Sequence, residues 1–163
     1  MPVSEGEFRN ALSRFASGVS VVTTVDAGGT PHGITVSAFC SVSLFPPLVL
    51  ICIEKITASH DSFIESGSYV VNVLDESQVW LSERFAAPSE DKFSDIDVYP
   101  AIGGIPALGD ALANIECRVV ERLDGGDHSI FIGLVEKVRS RGGDPLIYFR
   151  GDYNGLKISN HND

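Results

Sequence analysis

Three short segments of the 163-residue chain carry residue types and spacings suited to chemistry. In the first, Thr35-Val36-Ser37-Ala38-Phe39-Cys40-Ser41-Val42-Ser43 runs into Pro46-Pro47. Small hydroxyls and free backbone amides at a strand end approach a flat ring or a phosphate without steric bulk. The same residues also satisfy turns, so the segment alone leaves both uses open. In the second, Gly126-Asp127-His128 sets an imidazole at the mouth of a strand. There it can bond an amide or steady developing charge, or simply occupy a hairpin surface. In the third, Tyr148-Phe149-Arg150-Gly151-Asp152-Tyr153 closes an apolar alternation, and Arg150 and Tyr153 fall where the alternation breaks off. Core and ligand-facing roles stay open for them too. His32, His60 and His161 read as ordinary structural histidines.

Other chemistries lose their support. There is no Gly-x-Gly-x-x-Gly after a strand, no Gly-x-x-x-x-Gly-Lys-[Ser/Thr], no Gly-x-Ser-x-Gly and no His-Glu-x-x-His, which argues against hydrolases and nucleotidases. Cys40, Cys52 and Cys117 lie far apart in apolar stretches without a Cys-x-x-Cys pair, so buried free thiols are expected rather than disulfides or a metal site. A net charge of −10 with no Lys/Arg run repels phosphate backbones and excludes a nucleic-acid partner. Any nucleotide must then rest on amides, hydroxyls and local cations such as Lys55, Arg84 or Lys92, which implies weak, reversible binding. Apolar runs such as Pro47 to Ile53 are far shorter than the roughly 20 residues of a membrane span, and no basic, apolar leader opens the chain. No membrane partner and a cytoplasmic location are expected.

The elements that must position these segments follow from periodicity. Phe8, Leu12 and Phe15 recur at helical spacing before Gly18, which predicts a short helix packed on a sheet. Gly18 to Val25 and Pro31 to Phe39 flank Asp26-Ala27-Gly28-Gly29 as a β-hairpin. Leu48 to Ile53 reads as a strand buried on both faces. A helix is predicted over Thr57 to Ser66, capped by Thr57 or Ser59 and ended by Gly67. Tyr69 to Leu74 returns to strand, and Ser77 to Phe85 predicts another short helix. Residues Pro88 to Asp110 read mostly as a loop with a covering or subunit-bridging task. Three more strands, Ala111 to Leu123, Ser129 to Arg139 and Leu146 to Arg150, complete the chain. Hairpin-joined strands with few short helices predict a mainly β, antiparallel, closed or split β-barrel in a single domain over residues 1–163.

These segments, in this order, resemble the short-chain flavin reductase family, the reductase components of two-component monooxygenases. The resemblance runs from Phe8-Arg9-Asn10-Ala11-Leu12 and Phe15-Ala16-Ser17-Gly18-Val19 through Tyr69-Val70-Val71-Asn72-Val73-Leu74, Arg84-Phe85-Ala86, Lys92-Phe93 and Ile115-Glu116-Cys117 to the Gly-Asp-His and Tyr-Phe-Arg-Gly-x-Tyr segments. It implies an FMN-binding type of split barrel, working as a homodimer with flavin in a groove shared by both subunits. By motif it implies that Thr35, Val36, Ser37 and Ala38 line the isoalloxazine edge and that Ser41, Val42 and Ser43 bond its rim or the ribityl chain. Lys55, Thr57 and Ser59 would face the flavin phosphate, and Phe85, Lys92 and Phe93 belong to the cofactor-binding set. His128, as the catalytic residue, with Tyr153 and Arg150, would take the nicotinamide side. Many relatives carry Trp after the Asp of the long loop, where this chain has Asp97-Val98, so the resemblance fixes neither contacts from that loop nor the choice of flavin.

The implied activity is reduction of dissociable FMN or FAD by NADH or NADPH, with reduced flavin passed to a partner monooxygenase. Few arginines near the nicotinamide-side residues lean toward NADH, since a 2′-phosphate calls for cations. The alternative is a non-catalytic flavin- or heme-binding barrel. An oxidase of the pyridoxamine-phosphate type would need a firmer cluster of basic phosphate ligands than this acidic chain offers.

Overall fold

The computed structural model describes residues 3–89 and 91–156, so His161 lies outside the described residues. Helix α1 (Glu5–Leu12) opens the chain behind a Ser4/Glu7 capping box. Strands β1 (Ser17–Gly18), β2 (Ser20–Val25), β3 (Pro31–Val36), β4 (Phe39–Leu44) and β5 (Pro47–Glu54) precede α2 (His60–Ser66) and β6 (Ser68–Val73). Then come α3 (Val79–Ala86), the short β7 (Val98–Pro100) and β8 (Pro106–Leu108), the long hairpin β9 (Ala113–Gly125) and β10 (His128–Ser140), and β11 (Ile147–Phe149) with β12 (Asp152–Asn154).

Seven strands pair antiparallel in the order β3-β2-β6-β9-β10-β5-β4. Laid flat, the outer two would stand about 29 Å apart at the usual strand spacing. Yet β3 ends at Val36 and β4 begins at Phe39, a separation the chain spans over at most about 11 Å. Ser37 and Ala38 therefore force the sheet to curl until its two edges meet. Neither edge pairs with the other, so the result is the mainly β, antiparallel split barrel expected from the sequence.

Alternation along the strands fills the barrel with Val22, Val36, Val49, Ile51, Ile53, Tyr69, Val71, Cys117 and Phe131, and Phe63 of α2 plugs one end against Phe131. The outer face of β2 and β6 is buried as well, because α3 and the segment around Leu108 and Ala111 cover Val19, Val21 and Leu74. The amide of Asn72, placed in an otherwise apolar strand, knits that cover on. Its Nδ2 donates to Val21 O and Thr23 Oγ1, and its Oδ1 accepts from Leu108 N and Asn114 Nδ2.

Several expectations change. Helix α1 buries no residue, and Phe8, Leu12 and Phe15 are exposed: the outer sheet face is already occupied by α3, and the chain after α1 is held through Ser13 O, which accepts from Arg150 N. Strand β5 is buried on one face only, Val49, Ile51 and Ile53 pointing inward while Leu48, Leu50 and Cys52 are half-buried outside. For the same reason only Cys117 is a buried thiol; Cys40 is exposed and Cys52 intermediate. The predicted strand through Phe39 breaks at Ser37, and Ser41-Val42-Ser43 becomes strand instead. Thr57 and Ala58 form turns ahead of α2, which ends at Gly67 in the left-handed conformation. The long loop covers the outer face and folds into the β7–β8 hairpin.

Removing the Asn72 amide leaves Leu108 N–H without an acceptor, and Asn114 with only Leu108 O, in a dry setting. Asn72→Leu is expected to lower the free energy of unfolding by about 2–4 kcal/mol, read from urea denaturation midpoints at unchanged slope.

Candidate functional site

Closure of the barrel brings separate chain segments to one mouth. Phe39 pairs with Ile51 across β4–β5, and Cys52 N donates to Ala38 O at 3.2 Å. Extending that register places Ser37 opposite Ile53, whose neighbour on β10 is Ser129, beside the Glu54–His128 pair. Ser37 and His128 thus lie two strand spacings apart, about 10 Å, at the same end of the barrel. Lys55 joins them: its N donates to Asp127 O at 2.9 Å, and its ammonium bonds Gly126 O at 2.6 Å and the Asp124 carboxylate.

Two backbone donors at this mouth are left unused by the protein itself. Ser37 and Ala38 are exposed, and among the described residues their N–H groups find no protein acceptor. Thr57 Oγ1 donates to Glu54 O at 2.8 Å. Ser59 sits at the cap position of α2 yet makes no side-chain capping bond, so its hydroxyl is not committed to the helix. His128 is half-buried, and its Nδ1 is 2.7 Å from Asp127 Oδ1. That bond, helped by the nearby Lys55, holds the Asp127 carboxyl below its usual range. With Nδ1–H given to the carboxylate, Nε2 is the atom left to face a ligand. Free amides, hydroxyls and one oriented imidazole around a mouth about 10 Å wide suit a planar, polar-rimmed molecule.

Farther along β4, a bulge sets Val42 out of register between the Ser41–Val49 and Ser43–Leu48 pairs. Bulges of this kind recur beside binding sites. Ser41 and Val42 are exposed and Ser43 half-buried on this edge strand, whose outer backbone groups have no ladder partner.

Other expected residues stand back from the mouth. Val36 is in the barrel core and Phe85 is fully buried, so neither offers surface. Phe85 packs edge-on against Phe93 at 5.1 Å and fills the space over Gly33, where a Cβ would come within 2.6 Å of its ring. Lys92 spans the same corner, its ammonium donating to Phe85 O at 2.9 Å and Gly33 O at 3.3 Å; burial pushes its pKa down. These three brace the back of β3, because aromatic surface and a desolvated cation are satisfied there by one another's backbone. Thr35 also turns outward, donating to Ser82 O at 2.6 Å.

Ser82 was not singled out from the sequence. It is fully buried on α3, and its hydroxyl meets Tyr153 OH at 2.8 Å while its carbonyl holds Thr35. Tyr153 in turn stacks edge-on with Tyr148 at 5.5 Å. One helix residue therefore ties the end of β3 to the β11–β12 hairpin. Only the serine's place in the Val79–Ala86 helical pattern hinted at burial, since its partners are 47 and 71 residues away. Arg150 adopts φ +54° at the tip of that hairpin, exposed, with its guanidinium 5.2 Å above the Phe149 ring.

A family model described as flavin reductase like domain matches residues 12–157. The chain is 40% identical over 152 residues to the reductase component of 4-nitrophenol 4-monooxygenase/4-nitrocatechol 2-monooxygenase from Rhodococcus opacus, covering 93% of this chain and 81% of that protein. It superposes on the flavin reductase PheA2 in its native state with TM-score 0.87 at 39% identity, covering 96% of this chain and all of that one. Against the NADH:FAD oxidoreductase SgcE6 of Streptomyces globisporus, in complex with NAD and FAD fragments, the TM-score is 0.90 at 31% identity, over 100% and 98% of the two chains.

The Ser82–Tyr153 bond can be tested without any ligand. Ser82→Ala and Tyr153→Phe are each expected to cost about 1 kcal/mol of stability, and the double variant little more than either alone. Fully additive losses in a denaturation double-mutant cycle would show that the two hydroxyls act independently.

Proposed function

The chain belongs to the flavin reductase-like family, and from that premise we propose that it reduces FMN or FAD with NADH or NADPH and delivers the reduced flavin to a partner monooxygenase. The observation that carries the site assignment is the convergence of Ser37, Ala38, Lys55 and His128 on one mouth of the barrel, with Thr57 and Ser59 on the loop that follows Lys55. The donor set fits a flavin: free amides for the polar edge of a ring system, and hydroxyls with one lysine for a phosphate.

When bound, flavin supplies an acceptor for a hydride from the reduced nicotinamide, so both reacting atoms belong to small molecules. The protein's residues bind and orient. Ser37 and Ala38 N–H groups hold one ring edge, with Ser41 and Ser43 along the bulged strand beside it. Lys55, Thr57 and Ser59 hold the phosphate end. His128 Nε2, fixed by the Asp127 bond at Nδ1, bonds the nicotinamide carboxamide, and Tyr153, held by Ser82, flanks it. Holding two rings in register lowers the barrier by orientation rather than by acid–base chemistry, which accounts for the absence of a triad.

The working unit is a homodimer. Leu44 (82% exposed) and Phe45 (94%) cap the β4–β5 hairpin, and Phe8 and Leu12 of α1 are exposed too; a stable chain covers such surface with another copy. Among the described residues no helix is long and apolar enough to cross a membrane, and dependence on reduced nicotinamide fits a cytoplasmic setting.

Mixed with NADH and free FMN or FAD, the purified chain is expected to remove the nicotinamide absorbance well above the protein-free rate, whereas retention of flavin without NADH loss would identify a carrier. His128→Ala is expected to lower kcat/KM for NADH by about tenfold to a hundredfold without abolishing turnover. Phe45→Asp should yield monomers by sedimentation velocity; an unchanged dimer would contradict this interface.

A further inference from the structure

A cleft of about 240 Å³ opens between α3 and the ends of the β7–β8 hairpin, sharing no residue with the mouth. That is smaller than the roughly 300–1,000 Å³ of small-molecule pockets and on the scale of one long side chain. Three carboxylates, of Asp95, Asp97 and Asp110, border it. All three residues are exposed, and none makes an ion pair among the described residues. Asp95 Oδ2 meets only the Ser94 hydroxyl, at a long 3.5 Å, and the Asp97 carboxylate lies against Gly109, where a Cβ would run into its oxygen. Two arginines stand near without neutralising them. Arg84 lies over the Trp80 ring at 5.1 Å and donates to Ser94 O at 2.8 Å. Arg141 donates to the backbone carbonyl of Asp110 at 2.6 Å and gives its ion pair to Asp75.

Two further features define the guest. Gln78 is 5% exposed and borders the cleft; its Oε1 accepts from Asp75 N at 2.8 Å, while its Nε2 finds no acceptor among the described residues and is not sealed inside the protein. A buried amide left with a free donor calls for an acceptor from outside. Trp80, 48% exposed, adds an indole surface to the same cleft, which favours a cation or its aliphatic stem. Among the described residues no three His, Cys, Asp or Glu groups converge as a metal site. The carboxylates are thus too spread for a point cation and suit a flat one with several N–H donors, the guanidinium. A guanidinium has no acceptor for Gln78, but the peptide carbonyl of the residue that carries it does. We propose that this cleft docks an arginine side chain presented by a second protein, its guanidinium among the three carboxylates, its stem on Trp80 and a neighbouring carbonyl on Gln78 Nε2. On a chain of net charge −10, such a guest is drawn in by the field that repels anions. Docking here does not depend on the flavin reading of the mouth.

Trp80 is the chain's single tryptophan, so its fluorescence reports on this cleft. Titrated with acetyl-glycyl-arginyl-glycinamide at low ionic strength, the full chain is expected to give a saturating change with a dissociation constant on the order of 1 mM, weakening as salt is added. The citrulline counterpart, alike in shape but uncharged, is expected to give none. Asp97→Asn and Asp110→Asn should each weaken binding about threefold to fivefold, whereas Glu65→Gln, which removes the same charge from the exposed side of α2, should leave it unchanged. No saturation, an equal response to the citrulline peptide, equal losses in all three variants, or calcium chloride saturating the signal as the arginine peptide does would overturn the proposal. The titration needs no turnover, so a chain that fails to oxidise NADH would remove the assigned function and leave this docking site standing.

Discussion

Everything at the candidate mouth depends on one covalent constraint: two residues, Ser37 and Ala38, join the first and last strands of a seven-stranded sheet. Chain connectivity curls the sheet more firmly than any side-chain contact, because peptide bonds cannot stretch across an open sheet. The same two residues lie outside the ladders, so their amides stay exposed at the point where the edges meet. Curvature and the exposed amides thus come from one feature.

The remaining structure keeps that junction in place. From inside, Phe63 and Phe131 fill the barrel end. From behind, Phe85, Phe93 and Lys92 press on β3 at Gly33, where any side chain would collide with the Phe85 ring. Farther round, the Asn72 amide holds the long covering segment to β2 and β9. Ser82 carries the position of Thr35 over to Tyr153, so the hydroxyl-rich strand end and the tyrosine hairpin share a reference point. The apolar surfaces of α1 and the β4–β5 turn are left bare by the fold of the described residues.

Much of the fold was legible because period-2 alternation and Gly/Asp turns act locally. The hairpin after Val25, the Gly67 helix end and the long β9–β10 pair all follow from neighbouring residues. What the sequence concealed was set by distant partners. The resemblance sets Phe85 and Lys92 among the cofactor-binding residues, but nothing near them in the chain reveals that both pack against Gly33. Ser82 was silent since nothing near it in the chain reveals Thr35 or Tyr153. The one-sided burial of β5 was invisible because its outer residues are as apolar as its inner ones. Family resemblance supplied the residue roles that periodicity alone left open, and geometry separates those positions that share a mouth from those that brace it.

The central claim is that a planar ligand rests between the Ser37–Ala38 junction and His128. Amide chemical-shift mapping of the isotopically labelled protein during FMN titration tests it most directly. The account predicts that Ser37, Ala38, Ser59 and His128 shift together along one saturating curve. Saturating shifts confined to a remote face, such as the surface around Trp80, with Ser37 and Ala38 unmoved, would contradict it.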